Sequence, residues 1–460
     1  MELMITLGWI GGMLLIGMAL RGVIPFLRKS LVPSSVLAGV IGFIFVNTTG
    51  LIGSNPALLT DVVSQLFTIS FISIGLTGQD GGAKNGNSKN ILKGSVAMGF
   101  VWVILYALTP VVGALSVMAF GGFTDMNPMY GLLIPFAFAQ GPGQAASFGA
   151  VFESYGWQNA AMVGVTFAAI GFLFAFLVGV PLAKAGLRRG LAKNGGILDQ
   201  TTIRGVYLPN EQKPKSGFHT THSGNIDPLA FHMALVGGTY VLTYLVTVVL
   251  TTLLGAAGNM LWGMMFMTGM FCAYFVKFVM RKLGIAYLHD NETQKRITGF
   301  ATDFLVAASF MAVQITVIGR WIAPIMAVCI ATGIVTYVLC IYFGKRFGGS
   351  NDFERTLGLW GMATGTVPSG IGLVRIVDPD LATTTAVELG AMNIPMMLSA
   401  PTMITLPLIA DGTLSMSMGL LLLLAPIPVF LILLKVFRLW GKKTYSFSKG
   451  KQAVSTKDGD

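Results

Sequence analysis

Two stretches of this chain place residues that free main-chain polar groups inside apolar surroundings: Ala139-Gln140-Gly141-Pro142-Gly143-Gln144-Ala145-Ala146-Ser147 and Thr364-Gly365-Thr366-Val367-Pro368-Ser369-Gly370-Ile371-Gly372. Glycine permits positive φ and close approach of the backbone, and proline removes a donor that a continuous helix would use. Deep in an apolar medium, non-helical backbone persists only where protein, water or a ligand satisfies it. The freed N-terminal amides of a half-helix attract anions, and freed carbonyls and hydroxyls coordinate cations. The chemistry expected is therefore solute binding. Gly141, Pro142, Gly143, Gln144, Ala145, Thr366, Pro368, Ser369 and Gly370 would face a substrate, and Ser147 and Thr364 a coupling cation. One such break is equally well a packing kink; two in corresponding places of two halves favour a site.

The surrounding elements must span a membrane. Hydrophobic residues make up 54% of the 460 and charged ones 11%, at a mean hydropathy of +0.73, too apolar for one soluble core. Apolar runs of about 20 residues, the length that crosses a bilayer, recur near 3–20, 32–53, 58–78, 94–120, 160–183, 231–254, 260–280, 298–318, 321–343, 383–408 and 414–437. The fold class expected is an all-α polytopic membrane protein of about eleven transmembrane helices. The two broken segments, near 129–155 and 356–375, are left over as re-entrant hairpins. The net charge of +11 does not indicate nucleic acid, because 28 of the 30 Lys and Arg fall on one side of that topology. This asymmetry marks the cytoplasmic face. It puts the N-terminus outside and the basic C-terminal tail inside, as expected of a multi-pass protein of the cell (inner) membrane. The first apolar run lacks a positive n-region and reads as a retained helix. Cys272, Cys329 and Cys340 lie singly in apolar helices, as small buried residues do.

Internal symmetry organises the spans. Ser70-Phe71-Ile72-Ser73-Ile74-Gly75-Leu76 is similar to Ser309-Phe310-Met311-Ala312-Val313-Gln314-Ile315, and Gly141 corresponds to Gly365. The polar loop at 79–93 absorbs the difference between the two offsets. Units of five crossings each have opposite orientations, hence two inverted repeats. The division expected is 1–183 for the first repeat, 184–229 for a cytosolic linker, 230–410 for the second repeat, and 411–460 for an extra helix and tail. His219 and His222 in the linker have a spacing that could hold a metal, but without Cys or carboxylate partners the segment reads as a solvated loop.

The first segment, Gly141-Pro142-Gly143-Gln144-Ala145-Ala146-Ser147 onward, resembles the Gly-His-Gly-Thr-Ala re-entrant motif of the bacterial sodium/glutamate symporter family. The second, from Gly361-Met362 through Pro368-Ser369 to Arg375-Ile376-Val377, resembles that family's Thr-Pro-Thr-Ala loop. Ile24-Pro25-Phe26-Leu27-Arg28-Lys29, Pro33-Ser34-Ser35-Val36 and Thr302-Asp303-Phe304 add to the likeness. The resemblance implies re-entrant loops meeting near mid-membrane, a homodimer, an elevator-like movement, and sodium-driven uptake of an acidic amino acid such as glutamate. Two departures stand out. Pro142 and Gln144 replace the family's His and Thr in the first tip, and Arg375 stands where the second tip usually carries an uncharged polar residue. Glutamate is thus one candidate among small carboxylates.

Four charges in apolar context complete the reading. Arg375 is expected to be a desolvated guanidinium that binds a substrate carboxylate or neutralises Glu388. Glu388 is a candidate for cation or proton coupling, with a structural ion pair as the bland alternative. Asp303 and Asp61 look like caps at the starts of spans, with cation binding the second possibility for Asp303. The function expected is a secondary active transporter, not an enzyme, needing no cofactor beyond sodium as coupling ion. The alternatives are a proton-coupled organic anion carrier or exchanger, an ion channel, and a membrane enzyme. No phosphate-cradling Gly-rich loop is present to use ATP, and the apolar spans hold too few His, Asp or Cys for an enzymatic constellation.

Overall fold

A computed structural model describes residues 1–50, 56–77, 88–120, 123–194, 200–213, 215–222, 224–379 and 381–447. Most of the polar 79–93 loop and the last part of the tail lie outside the described residues. Those that are described form helices and turns, with no strand among them. The principal helices of the N-terminal half are α1 (Glu2–Val23), α2 (Ser34–Thr49), α3 (Pro56–Leu76), α4 (Ser88–Ala119), α5 (Ile134–Phe138), α6 (Pro142–Ser154) and α7 (Ala160–Arg188). The C-terminal half follows with α8 (Pro228–Leu254), α9 (Met265–Lys282), α10 (Asn291–Met311), α11 (Ile322–Gly344), α12 (Asp352–Ala363), α13 (Val367–Val377), α14 (Thr385–Ala391), α15 (Ala400–Ala410), α16 (Met416–Leu424) and α17 (Pro426–Val436).

Among the described residues, eight helical stretches are long and apolar enough to cross a membrane, and Ser34–Thr49, Pro128–Phe138 and Val367–Val377 are shorter apolar helices. The helix expected at 298–318 runs instead from Asn291 to Met311. Its cap is Asp290, whose side chain accepts from the Thr293 amide at 2.7 Å. Asp303 is therefore inside a helix, and the capping reading for it fails. Asp61 likewise sits in the second turn of α3, which begins at Pro56. Ahead of Asp303 the polar stretch from Asn291 to Arg296 is itself helical, and ahead of Asp61 the helix already runs from Pro56, so each acid lies inside its helix rather than at its end.

Helix α4 is the centre of the core: Met98 and the run from Val101 to Ala107 are all but inaccessible. It packs on both broken segments. A second cluster joins α1, α2, α3 and α10. There α3 and α10 cross antiparallel, with Ser73 near the end of α3 receiving the Gln294 amide at 2.7 Å and the Thr298 hydroxyl at 2.8 Å near the start of α10. The three cysteines are free and buried.

Helix α7 runs along both broken segments, and its glycines set how closely it does so. A methyl group on Gly164 would stand 3.0 Å from the Ala145 carbonyl oxygen, one on Gly171 2.8 Å from that of Thr364, and one on Gly179 2.5 Å from Leu373. At spacings of seven and eight residues these positions fall on one face of a helix. One stripe of α7 thus seats elements from both halves of the chain.

Candidate functional site

Each broken segment folds into a helical hairpin. In the first, α5 and α6 lie side by side, with the Phe136 and Phe148 rings stacked at 4.0 Å. In the second, α12 and α13 approach so closely that a Cβ on Gly361 would stand 2.8 Å from the Gly370 Cα. The breaks fall where glycine and proline put them. Gly141, at φ +84° and ψ −176°, caps α6 ahead of Pro142. Thr366, extended at φ −148°, caps α13 ahead of Val367 and Pro368.

The two tips meet. A Cβ on Gly141 would lie 2.6 Å from Thr366 Cγ2 and 3.4 Å from the Gly365 carbonyl oxygen. Neither helix start has a side-chain cap, and the first intrahelical bonds are Ala145 N–H to Gly141 and Gly370 N–H to Thr366. The amides of Gly143, Gln144, Val367 and Ser369 thus have no partner within their helices. Two positive helix ends converge on one spot.

Side chains hold the first tip from α4. Trp102 donates its indole N–H to the Ala139 carbonyl at 3.3 Å, and Tyr106 donates its hydroxyl to Gln144 Oε1 at 3.0 Å. That bond fixes which end of the Gln144 amide is occupied. Gln144 Nε2 is enclosed without a hydrogen-bond partner among the described residues, and so is Thr366 Oγ1. A buried unpaired donor is costly unless something fills it, so the tips present enclosed, unpaired polar groups beside uncapped helix ends.

Gly141 therefore stands against Gly365 and Thr366, whereas Gly143 packs on Phe67 of α3 and Gly370 against Gly358 and Gly361 of its own hairpin. The other candidates divide. Thr364 is buried at the second tip, its hydroxyl donated to the Trp360 carbonyl at 2.7 Å. Ser147 faces a cavity on the far side of α6. Asp303 lies on an open face of α10 with Lys295 and Arg296.

Arg375 and Glu388 depart most from expectation. Arg375 is exposed near the end of α13, about 12 Å from its first residue at 1.5 Å per residue, rather than desolvated at the tip. It is not the partner of Glu388. That carboxylate, fully buried, receives both Nε and Nη2 of Arg355 at 2.7 and 2.6 Å and the Thr384 hydroxyl at 2.7 Å. Arg355 also pairs with Asp352 at 3.1 Å. Gly94 of α4 covers the pair, for a Cβ there would stand 2.3 Å from Glu388 Cδ. The bland reading of Glu388 as a structural ion pair is the one the geometry carries. Arg355 escapes a sequence reading because it looks like one more basic residue on the cytoplasmic side. The available signal is Asp352-Phe353-Glu354-Arg355 opening an apolar helix, where a fork-shaped cation needs carboxylates.

The tail closes this cluster. Thr444 donates its hydroxyl to Asp352 Oδ2 at 2.8 Å, and the Tyr445 hydroxyl lies 2.6 Å from that of Thr356. Burial pushes the Tyr445 phenol well above its ordinary value, so it stays a neutral hydrogen-bonding group.

Membrane-length helices packed around two crossed, broken hairpins define a multi-pass membrane protein of the transporter kind. The family model for the sodium/glutamate symporter matches residues 1–377, and the chain belongs to that family. The family is one of transporters, not of enzymes. No curated protein matches the chain.

Proposed function

We propose that this protein is a sodium-coupled symporter of glutamate or a similar small carboxylate, working by elevator-like alternating access with the crossing of the two tips as its substrate site. The observation that carries the reading is the meeting of two uncapped helix N-termini around the enclosed Gln144 Nε2 and Thr366 Oγ1. Converging amides and a free carboxamide suit a carboxylate, whose acceptor-only oxygens leave no donor unmatched. Family membership supports sodium as the coupling ion, with Thr364 of the second hairpin and Ser147 of the first among its candidate ligands.

The topology proposed with this function has eleven crossings in two inverted repeats, both hairpins re-entrant, in the inner membrane with the N-terminus outside and the C-terminus cytoplasmic. The division into 1–183, 184–229, 230–410 and 411–460 belongs to the same proposal, as does a homodimer. The antiparallel crossing of α3, which contains the first similar Ser-Phe segment, and α10, whose last residues open the second, supports inversion.

The test is uptake of radiolabelled glutamate into proteoliposomes under an imposed sodium gradient. Wild-type protein should concentrate it, and Gln144→Leu should raise KM by about 10-fold or more, the loss of one hydrogen bond to a charged group. Uptake without sodium would overturn the coupling, and an unchanged KM for Gln144→Leu would remove the tip from the site. Arg375→Lys should transport within about twofold of wild type, because an exposed charge guiding an anion does not need the planar fork. A sharp loss in that variant would return Arg375 to direct binding.

A proton-coupled carrier remains the second reading, but with a different residue. Glu388 is occupied by Arg355, whereas Glu354, fully buried, accepts from the Lys193 amide at 2.7 Å and from no basic side chain among the described residues. Its Oε2 has no hydrogen-bond partner among the described residues. Uptake driven by a proton gradient and abolished by Glu354→Gln would favour this alternative.

A further inference from the structure

Beside the first hairpin, on the face of α6 turned away from α7, lies a cavity of ≈ 490 Å³ between α3, α6, α8 and the start of α9. Its wall is unusual in what its hydroxyl groups have left to offer. Ser64 donates to the Asp61 carbonyl at 3.0 Å and Thr68 to the Ser64 carbonyl at 3.2 Å. Ser147 donates to the Gly143 carbonyl at 2.9 Å and Ser154 to the Val151 carbonyl at 2.7 Å. Tyr240 gives its proton to Gln65 Oε1. Every one of these protons is used, so each hydroxyl oxygen keeps only lone pairs for an occupant.

The single charged side chain in the lining is Asp61. Its carboxylate has no ion-pair partner among the described residues. The neighbouring acid differs, for Glu153 accepts from the Ala161 amide at 3.0 Å. Gln65, Asn259 and Trp262 bring N–H donors to the same lining and Tyr244 a further hydroxyl, but no basic side chain is among the lining residues. An unpaired carboxylate beside four spent Ser and Thr hydroxyls disfavours anions and suits a small, oxygen-seeking cation.

We propose that this cavity is a binding site for a small monovalent cationic group, anchored by Asp61 with Ser64, Thr68, Ser147 and Ser154 as oxygen ligands or hydration partners. The occupant is the coupling sodium ion, or alternatively the ammonium group of an amino-acid substrate. The proposal rests on the symport reading above and adds to it a place where the cation is held apart from the tips. Ser147 lies on the half-helix whose N-terminus forms the first tip, about two turns from Gly141. Gly143, whose carbonyl holds the Ser147 hydroxyl, packs directly on Phe67 of α3; a Cβ there would stand 2.1 Å from that ring. An occupant drawing α3 and α6 together would thus act on the tip through that contact.

The experiment uses the full chain, wild type and Asp61→Asn, with Asp61→Glu as the variant that restores charge. Melting in choline chloride buffer checks that each variant folds. The first arm measures the rise in melting temperature as sodium replaces choline. The second measures the amount of glutamate, and of glutarate, which lacks the amino group, needed to compete with labelled glutamate in proteoliposomes.

If sodium is the occupant, it stabilises the wild type, and Asp61→Asn raises the half-effective sodium concentration about 10-fold or more, with partial recovery in Asp61→Glu. If the ammonium is the occupant, sodium stabilisation is unchanged, and Asp61→Asn weakens competition by glutamate but not by glutarate. Unchanged sodium response together with an unchanged glutamate-to-glutarate ratio would overturn the site. Because the first arm reads sodium binding without transport, failure of sodium-driven uptake by the wild type would count against the symport reading and not against this cavity.

Discussion

Replacing Gly141 by alanine is expected to cut sodium-driven uptake by about two orders of magnitude, whereas the same change at Gly156 should leave uptake within a few-fold of wild type. Both glycines have positive φ, +84° and +98°, so an L side chain strains the backbone at either, by on the order of 1–3 kcal/mol. Only the surroundings differ. A Cβ on Gly141 meets Thr366 Cγ2 at 2.6 Å, while nothing lies within 4 Å of one on Gly156. The methyl group would push the two tips apart where the helix ends converge, and groups meant to act on one small anion tolerate little displacement. Comparing initial rates per mole of folded transporter separates this from loss of stability, which the Gly156 variant reports by itself. Normal transport by Gly141→Ala would mean that the contact between the tips is not part of the working site.

The second large effect concerns stability. Arg355→Ala should destabilise the protein by about 3–5 kcal/mol, the usual cost of stripping one partner from a buried ion pair. It leaves Glu388, fully buried, and Asp352, 2% exposed, without their shared cation. Glu388→Gln should cost less, because Arg355 keeps Asp352 at 3.1 Å and a carboxamide still accepts from the Thr384 hydroxyl. A double change to Arg355→Met and Glu388→Met should recover part of the loss, since an apolar pair of similar volume removes both desolvation penalties. Thermal unfolding of the detergent-solubilised protein checks the order of the three. Equal stability for Arg355→Ala and wild type would show that water reaches the pair.

Much of the site was legible in the chain itself, for reasons that are local. Gly141-Pro142 and Val367-Pro368 must interrupt a helix wherever they lie, because proline lacks the N–H and glycine accepts the φ that the interruption needs. The breaks are where those residues put them. Arg375, Glu388 and Asp303 fared differently, since what a charge does depends on what is folded against it. Arg375 looked like the guanidinium of the site and is exposed on α13, whereas Arg355 looked like a surface charge and is buried in a bidentate pair. Gln144 was visible as a tip residue. That its carbonyl oxygen is taken by Tyr106, 38 residues earlier, leaving only its amide nitrogen free, was not.

Apolar runs of membrane length, the one-sided placement of Lys and Arg, and the two helix breaks are properties of consecutive residues, and the sequence alone determined them. They follow from bilayer thickness and backbone chemistry, which act over a few turns of chain. The meeting of Gly141 with Thr366, the seating of both hairpins on the glycine stripe of α7, the choice of Arg355 over Arg375 as partner to Glu388, and the gathering of Ser and Thr hydroxyls beside Asp61 from α3 and α6 join residues from separate elements, most of them tens to hundreds of positions apart. Those were decided by tertiary packing, because at close contact a single Cβ determines whether two backbones can touch, and a charge's partner is whichever opposite charge shares its dry enclosure.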